Sequence, residues 1–135
     1  MQLTGAHTAT ITPLLGHLLG NTMLLVEPDV HLLSVRRRLL ARAEYTVRAV
    51  CTAGQVFELD GEDAPHIVLL SDGVGEFQLN ALAEYVRRRW RHARILIVGE
   101  ATPALEDHLY DETVARGAGA EEFLAAVEKC VREQF

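Results

Sequence analysis

The sequence predicts an α/β protein: a doubly wound, five-stranded parallel sheet between two layers of helices. Four short apolar runs rich in branched residues stand at Met23–Val26, Thr46–Cys51, Ile67–Leu70 and Ile95–Val98, each of strand length. Segments of helical period alternate with them, the spacing of βαβ units, which makes the strands parallel. The interior runs are apolar without alternation, as expected of strands covered on both faces.

The elements follow in order. Ahead of the first strand, Thr12 and Pro13 can open a two-turn helix with Leu14, Leu15, Leu18 and Leu19 on one side and Gly20 placed to stop it. Two turns do not hold alone. The piece either packs on the body, packs on a second subunit, or is loose, and the chain divides into an N-terminal extension, 1–22, and a domain, 23–135. After the first strand, Asp29 to Ala43 reads as a helix with Leu32, Val35, Leu39 and Ala43 on one face and Asp29 as its cap. The second helix, Ala53 to Leu59, is short and weak, and Glu58 to Asp63 reads as an acidic solvated loop. The third helix is the clearest, with Leu79, Leu82, Ala83, Val86 and Trp90 on one stripe and an arginine-rich end suited to the helix dipole. A fourth, from Thr102 to Leu109, opens with Thr-Pro. A weak fifth strand at Asp111 to Ala115 precedes a last helix from Ala120 that buries Leu124, Val127 and Val131.

Composition narrows what this body does. The chain has 135 residues, 49% hydrophobic and 24% charged, which fits one compact domain. Nineteen acidic residues against 13 basic give a charge of −6, which argues against nucleic acid as a partner and leaves metal ions or basic protein surfaces. Lys129 is the single lysine. Cys51 and Cys130 match no zinc spacing or disulfide framework, so both read as buried thiols of a reducing compartment. No apolar stretch is long enough to cross a bilayer, and no Lys or Arg precedes the Leu-rich N-terminal piece as a signal peptide requires. The expectation is a cytoplasmic protein with no membrane partner.

In sheets of this type the functional crevice lies at the carboxyl ends of the strands. Glu27, Pro28 and Asp29 follow the first run; Ser71, Asp72 and Gly73 the third; Gly99 and Glu100 the fourth; Arg116 and Gly117 the fifth. Glu27, Asp29 and Asp72 can converge on a hard cation such as magnesium, although acids also cap helices, as Asp29 does here. The six histidines show no ligand spacing, the Gly-rich stretches at 73–75 and 117–119 match no phosphate-binding loop, and Ser71 lacks a nucleophile elbow. Arg36, Arg37 and Arg38, and separately Arg87, Arg88, Arg89, Arg91 and Arg94, read either as solvated helix surface or as patches for phosphate or an acidic partner. Trp90 beside the second cluster belongs to the core stripe.

From Met23 to about Val131, the order of elements and the phrases MLLVEPD, HIVLLSD, RILIVGE and TVARGAGAEEFLAAVEK resemble the receiver domain of bacterial two-component response regulators. The resemblance implies a flavodoxin-like fold with strand order 2-1-3-4-5. It also implies a site in which an aspartate ending the third strand takes a phosphoryl group from a histidine kinase, with magnesium held by acids after the first strand. A hydroxyl residue then ends the fourth strand, and a lysine followed by proline comes after the fifth.

Most of those positions are changed here. Glu27 keeps the first acid, and Pro28 stands in place of the second. Ser71 occupies the phosphoacceptor position in the ungapped register, and a serine forms no acyl phosphate. Gly99 replaces the hydroxyl, Arg116 the lysine, Gly117 the proline, and Thr113 a switching aromatic. The peptide at Gly117 is expected to be trans. Asp72 becomes the phosphoacceptor only if the strand end shifts by one residue, and a simple slip turns its side chain away unless a bulge re-aims it.

The expectation is a stand-alone pseudo-receiver, not an enzyme, that works as an interaction module in signal transduction without a cofactor and without aspartyl phosphorylation. Through the resemblance, its face for an unidentified signalling partner lies around Leu105, Tyr110, Ala118 and Phe123, and a homodimer can form there or through the N-terminal helix. Two alternatives stand beside it: an active, magnesium-dependent phosphoacceptor using Asp72 with Glu27 and Asp29, and a small-ligand module using the same crevice.

Overall fold

In a computed structural model, residues 22–59, 64–100 and 105–134 are described. The strands are β1 (Thr22–Val26), β2 (Thr46–Val50), β3 (Ile67–Ser71), β4 (Arg94–Val98) and β5 (Glu112–Val114). The helices are α1 (Val30–Arg42), α2 (Ala53–Phe57), α3 (Glu76–Arg89) and α4 (Ala120–Gln134), with 3-10 turns at Asp72–Val74 and Asp107–Leu109. All neighbouring strands are parallel, in the order β2-β1-β3-β4-β5.

Alternate strand side chains enter two cores, which is why the interior runs Met23–Val26, Ile67–Leu70 and Ile95–Val98 carry no polar positions. Leu24, Val26, Val68, Leu70, Ile95 and Ile97 pack with Val56 of α2 and Leu79, Leu82 and Val86 of α3. Met23, Leu25, Ile67, Leu69, Leu96 and Val98 pack with Leu40 of α1 and Phe123, Val127 and Cys130 of α4. The short α2 exists because Thr52 and Gln55 form a reciprocal capping box, each side chain accepting from the other's backbone N–H at 3.1 Å.

Three helices depart from the sequence expectation. The inward stripe of α1 is Leu33, Arg36 and Leu40, with Arg36 and Leu40 buried; of the expected face Leu39 does pack half-buried against this core, whereas Leu32 and Val35 lie beside it and Ala43 is exposed. The helix turns this way because a buried carboxylate below needs the Arg36 guanidinium. In α4 the fully enclosed stripe is Phe123, Val127 and Cys130, while Leu124 and Val131 are half-buried beside it. The expected set steps by three then four and the enclosed one by four then three about a shared Val127, and the aromatic ring takes the deeper place.

For the predicted helix at Thr102–Leu109, residues 102–104 lie outside the described residues, and 105–109 hold only the 3-10 turn. The His108 carbonyl accepts from Arg87 Nε at 3.1 Å, and Asp111 and Ile95 bind one another, their backbone bond 2.9 Å long. These anchors draw the segment onto the sheet. The N-terminal Leu-rich helix lies outside the described residues. Among the described residues no helix is long and apolar enough to cross a membrane.

Candidate functional site

The crevice gathers side chains from the ends of β1, β3, β4 and β5. Glu27, directly after β1, is 2% exposed, and Arg36 reaches back from α1 to ion-pair with it. The other Glu27 oxygen accepts the Asp29 N–H at 3.0 Å, and Arg36 Nη2 donates to the Arg116 carbonyl at 3.1 Å. Asp29 Oδ1 is committed to the start of α1, accepting from His31 N–H at 2.9 Å and Leu32 N–H at 3.2 Å.

On the other side, β3 ends on Ser71, whose pairing with β4 runs unbroken to Ser71 opposite Val98. Ser71 is 1% exposed, and its hydroxyl accepts the Gly73 N–H at 3.0 Å. The strand neither slips nor bulges there; the 3-10 turn beginning at Asp72 redirects the next side chain. Asp72 thereby reaches across β4, ion-pairing with Arg116 through Oδ1 and accepting the Glu100 N–H through Oδ2 at 3.0 Å.

Gly99 makes that seat possible. It has φ +127, and a Cβ built on it overlaps the Asp72 carboxyl group. Gly73 is approached as closely: a Cβ there would lie 3.2 Å from Pro28 Cγ and from Ser71 Oγ, and 3.3 Å from Arg116 Nη2. Pro28, Ser71, Gly73 and Arg116 therefore meet at one point. The hydrogen bond that Arg116 donates to Asp72 raises the Arg116 pKa above its usual value, with the Asp72, Glu27 and Asp29 charges acting in the same direction.

No protein-family model matches this chain, and no curated protein sequence matches it. Solved structures do. A response regulator receiver domain protein (CheY-like) from Methanospirillum hungatei JF-1 has 17% identity and TM-score 0.76, over 84% of this chain and 95% of that one. A sensor protein from Polaromonas sp. JS666 has 13% identity and TM-score 0.74, over 84% and 98%. The response regulator TrrA from Thermotoga maritima, solved in complex with Mg(2+)-BeF, has 15% identity and TM-score 0.71, over 82% and 98%. The likeness is one of fold. The chain has the flavodoxin-like receiver fold, with the sheet order that the sequence resemblance implied.

Of the residues singled out in the sequence, Glu27, Pro28, Asp29, Ser71, Asp72, Gly99 and Arg116 do stand at this one end of the receiver fold. Their carboxylate oxygens are engaged within the chain, whereas a magnesium ion takes several oxygen ligands. Glu27 is held by Arg36, Asp29 by α1 and Asp72 by Arg116, and Pro28 offers no side-chain ligand. Among the described residues no three His, Cys, Asp or Glu side chains are placed to share a metal.

Of the four residues expected on the partner face, Leu105 and Phe123 are each 3% exposed and belong to the core, and Tyr110 and Ala118 are half-buried against it. Leu105 and Phe123 present no contact surface, because their apolar side chains fill the two layers on either side of the sheet. Lys129 pairs with Glu112 at 2.7 Å, tying α4 to β5 away from the crevice. Burial pushes the Cys130 thiol up to about 12, so it stays protonated in the core.

Arg36 is the site residue the sequence reading missed. It stood inside a run of three arginines, but its place three residues from Leu33 and four from Leu40 puts it on the inward stripe. A charged residue on such a stripe signals a buried partner.

Proposed function

We propose that this chain is a degenerate response-regulator receiver, a signalling module that works by binding other proteins and is not switched by phosphorylation of an aspartate or by magnesium. The observation that supports this most is that, of the crevice carboxylates Glu27, Asp29 and Asp72, two are already ion-paired within the chain, Glu27 with Arg36 and Asp72 with Arg116, and the third, Asp29, caps α1. In the phosphoacceptor position Ser71 holds a buried hydroxyl that accepts the Gly73 N–H. Its alcohol forms a stable ester at most, not the reactive acyl phosphate of an aspartyl switch. Arg36 supplies positive charge against Glu27, as a divalent cation would, and Asp72 supplies negative charge to Arg116 and to the Glu100 N–H. No catalytic role falls to these residues.

The competing reading makes Asp72 an active phosphoacceptor, since its carboxylate does reach the crevice beside Arg116. Incubation of the protein with acetyl phosphate and magnesium, followed by intact-mass measurement, separates the two. The expected result is an unchanged mass. An acid-stable, base-labile phosphoryl adduct that disappears in Asp72→Asn overturns the proposal.

A further inference from the structure

The far end of the molecule carries a second site of different character, at the C-terminal end of α3. The arginine cluster there divides into two groups. Arg87 donates to the Ala93 carbonyl at 2.9 Å and pairs with Asp111 at 2.8 Å, while Arg94 pairs with Glu133 at 2.6 Å, so these two hold the structure together. Arg88, Arg89 and Arg91 are exposed and form no ion pair or side-chain hydrogen bond among the described residues. In a chain of net charge −6, three neighbouring unpaired guanidinium groups on one turn are a local reversal of sign.

They also border a cavity. A groove of about 510 Å³ runs between the end of α3 and the segment leading into β3, lined by Arg89, Trp90, Arg91 and His92 on one side and Pro65 and His66 on the other. Pro65, Trp90 and Ala93 are buried and give it an apolar floor, whereas Arg89, Arg91 and His92 are exposed at its rim. Among the described residues no carboxylate lines it. An apolar floor under a cationic rim complements a chain segment that has an apolar side chain flanked by acids.

We infer that this groove docks an acidic peptide segment of a partner protein, anchored by one apolar side chain over Trp90 and by carboxylates on Arg89 and Arg91. The site is separate from the crevice and does not depend on how the crevice is read. A polyanionic nucleic acid is the less fitting occupant, because the three cations sit on one helix end in a molecule that is otherwise acidic and repels a long phosphate backbone.

Trp90 is the only tryptophan, so its fluorescence reports on the groove directly. The full chain is titrated with the synthetic peptide Glu-Glu-Leu-Glu-Glu. The expected result is a saturable change in Trp90 emission that weakens with added salt, is absent with a Lys-Lys-Leu-Lys-Lys peptide, and is about tenfold weaker in the Arg89→Ala, Arg91→Ala double variant. Asp72→Asn is expected to bind the peptide as the unchanged protein does, which keeps this outcome independent of the crevice.

A response to the lysine peptide equal to that of the acidic one, or an undiminished response in the double variant, overturns the proposal. So does saturable binding of a single-stranded oligonucleotide with no response to the peptide. The chain's own acidic stretch precedes Pro65, and the same titration with Asp60→Asn, Glu62→Gln and Asp63→Asn covers that case. Peptide binding that emerges only in this variant assigns the groove to the chain itself and overturns the proposal.

Discussion

The two ends of the sheet use arginine in opposite ways. At the carboxyl end, Arg36 is 5% exposed and meets both Glu27 and the Arg116 carbonyl, and Arg116 meets Asp72. At the other end Arg88, Arg89 and Arg91 are exposed and form no ion pair among the described residues. The residue type is the same; the environment is not. A guanidinium taken out of water costs several kcal/mol unless an opposite charge and further acceptors replace the water, whereas an exposed one keeps its hydration and gains little from pairing. Burial therefore ties Arg36 into the architecture, whereas the exposed Arg88, Arg89 and Arg91 keep their hydration.

The sharpest way to break that comparison is Arg36→Ala. It strands Glu27 as a buried charge, with an expected loss of about 3–5 kcal/mol in urea denaturation. The double replacement Arg36→Met with Glu27→Leu recovers most of that loss, because a well-packed apolar pair of similar size is close to neutral. If Arg36→Ala costs no more than an exposed substitution, Glu27 is not held as described.

An intermediate effect is expected at Gly99. Gly99→Ala puts a methyl group into the Asp72 seat and a side chain at positive φ, costing about 2 kcal/mol or more. Adding Asp72→Ala relieves the overlap but not the backbone strain, so the double-mutant cycle shows a partial rescue. Additive costs in that cycle would mean that the carboxylate does not occupy the space above Gly99.

The smallest effects should fall on exposed groups. The side chains of Arg116 and Asp72 are 50% and 23% exposed, and Arg116→Ala or Asp72→Asn is expected to cost under about 1 kcal/mol and less at high salt. Their readout is local: the Glu100 amide proton, bonded to Asp72 Oδ2, shifts in the NMR spectrum when that carboxylate loses its charge or its Arg116 partner. Arg88→Ala, Arg89→Ala and Arg91→Ala together change stability by about 0.5 kcal/mol at most. A large loss there would turn the far cluster into a structural one.

Much of this was legible in the sequence. The interior strands stand out because both of their faces are buried, so their central positions are apolar, and the spacing between them follows from parallel connections. The clear helix, α3, has an apolar stripe that nothing polar interrupts. The α1 stripe was placed one residue off because its middle position is Arg36, and the pattern of apolar residues alone skips it. The region between β4 and β5 was expected to be helical from its Thr-Pro start, yet its described part follows side-chain anchors, Arg87 and Asp111, that come from distant points in the chain. At the crevice the sequence located the residues, since they follow the strands directly, but not what they hold.

The sequence by itself determined the α/β class, the sheet, and which chemical groups gather at its carboxyl end, because these depend on local pattern and on strand order. The pairing came only with the tertiary structure: Arg36 of the three helix arginines turns inward to Glu27, the turn after Ser71 carries Asp72 over Gly99 to Arg116, and three arginines of the second cluster have no ion-pair partner among the described residues. Charges find their partners across many residues of chain, at distances of a few ångströms that no spacing along the sequence encodes. Burial then fixes how strongly each pair is held.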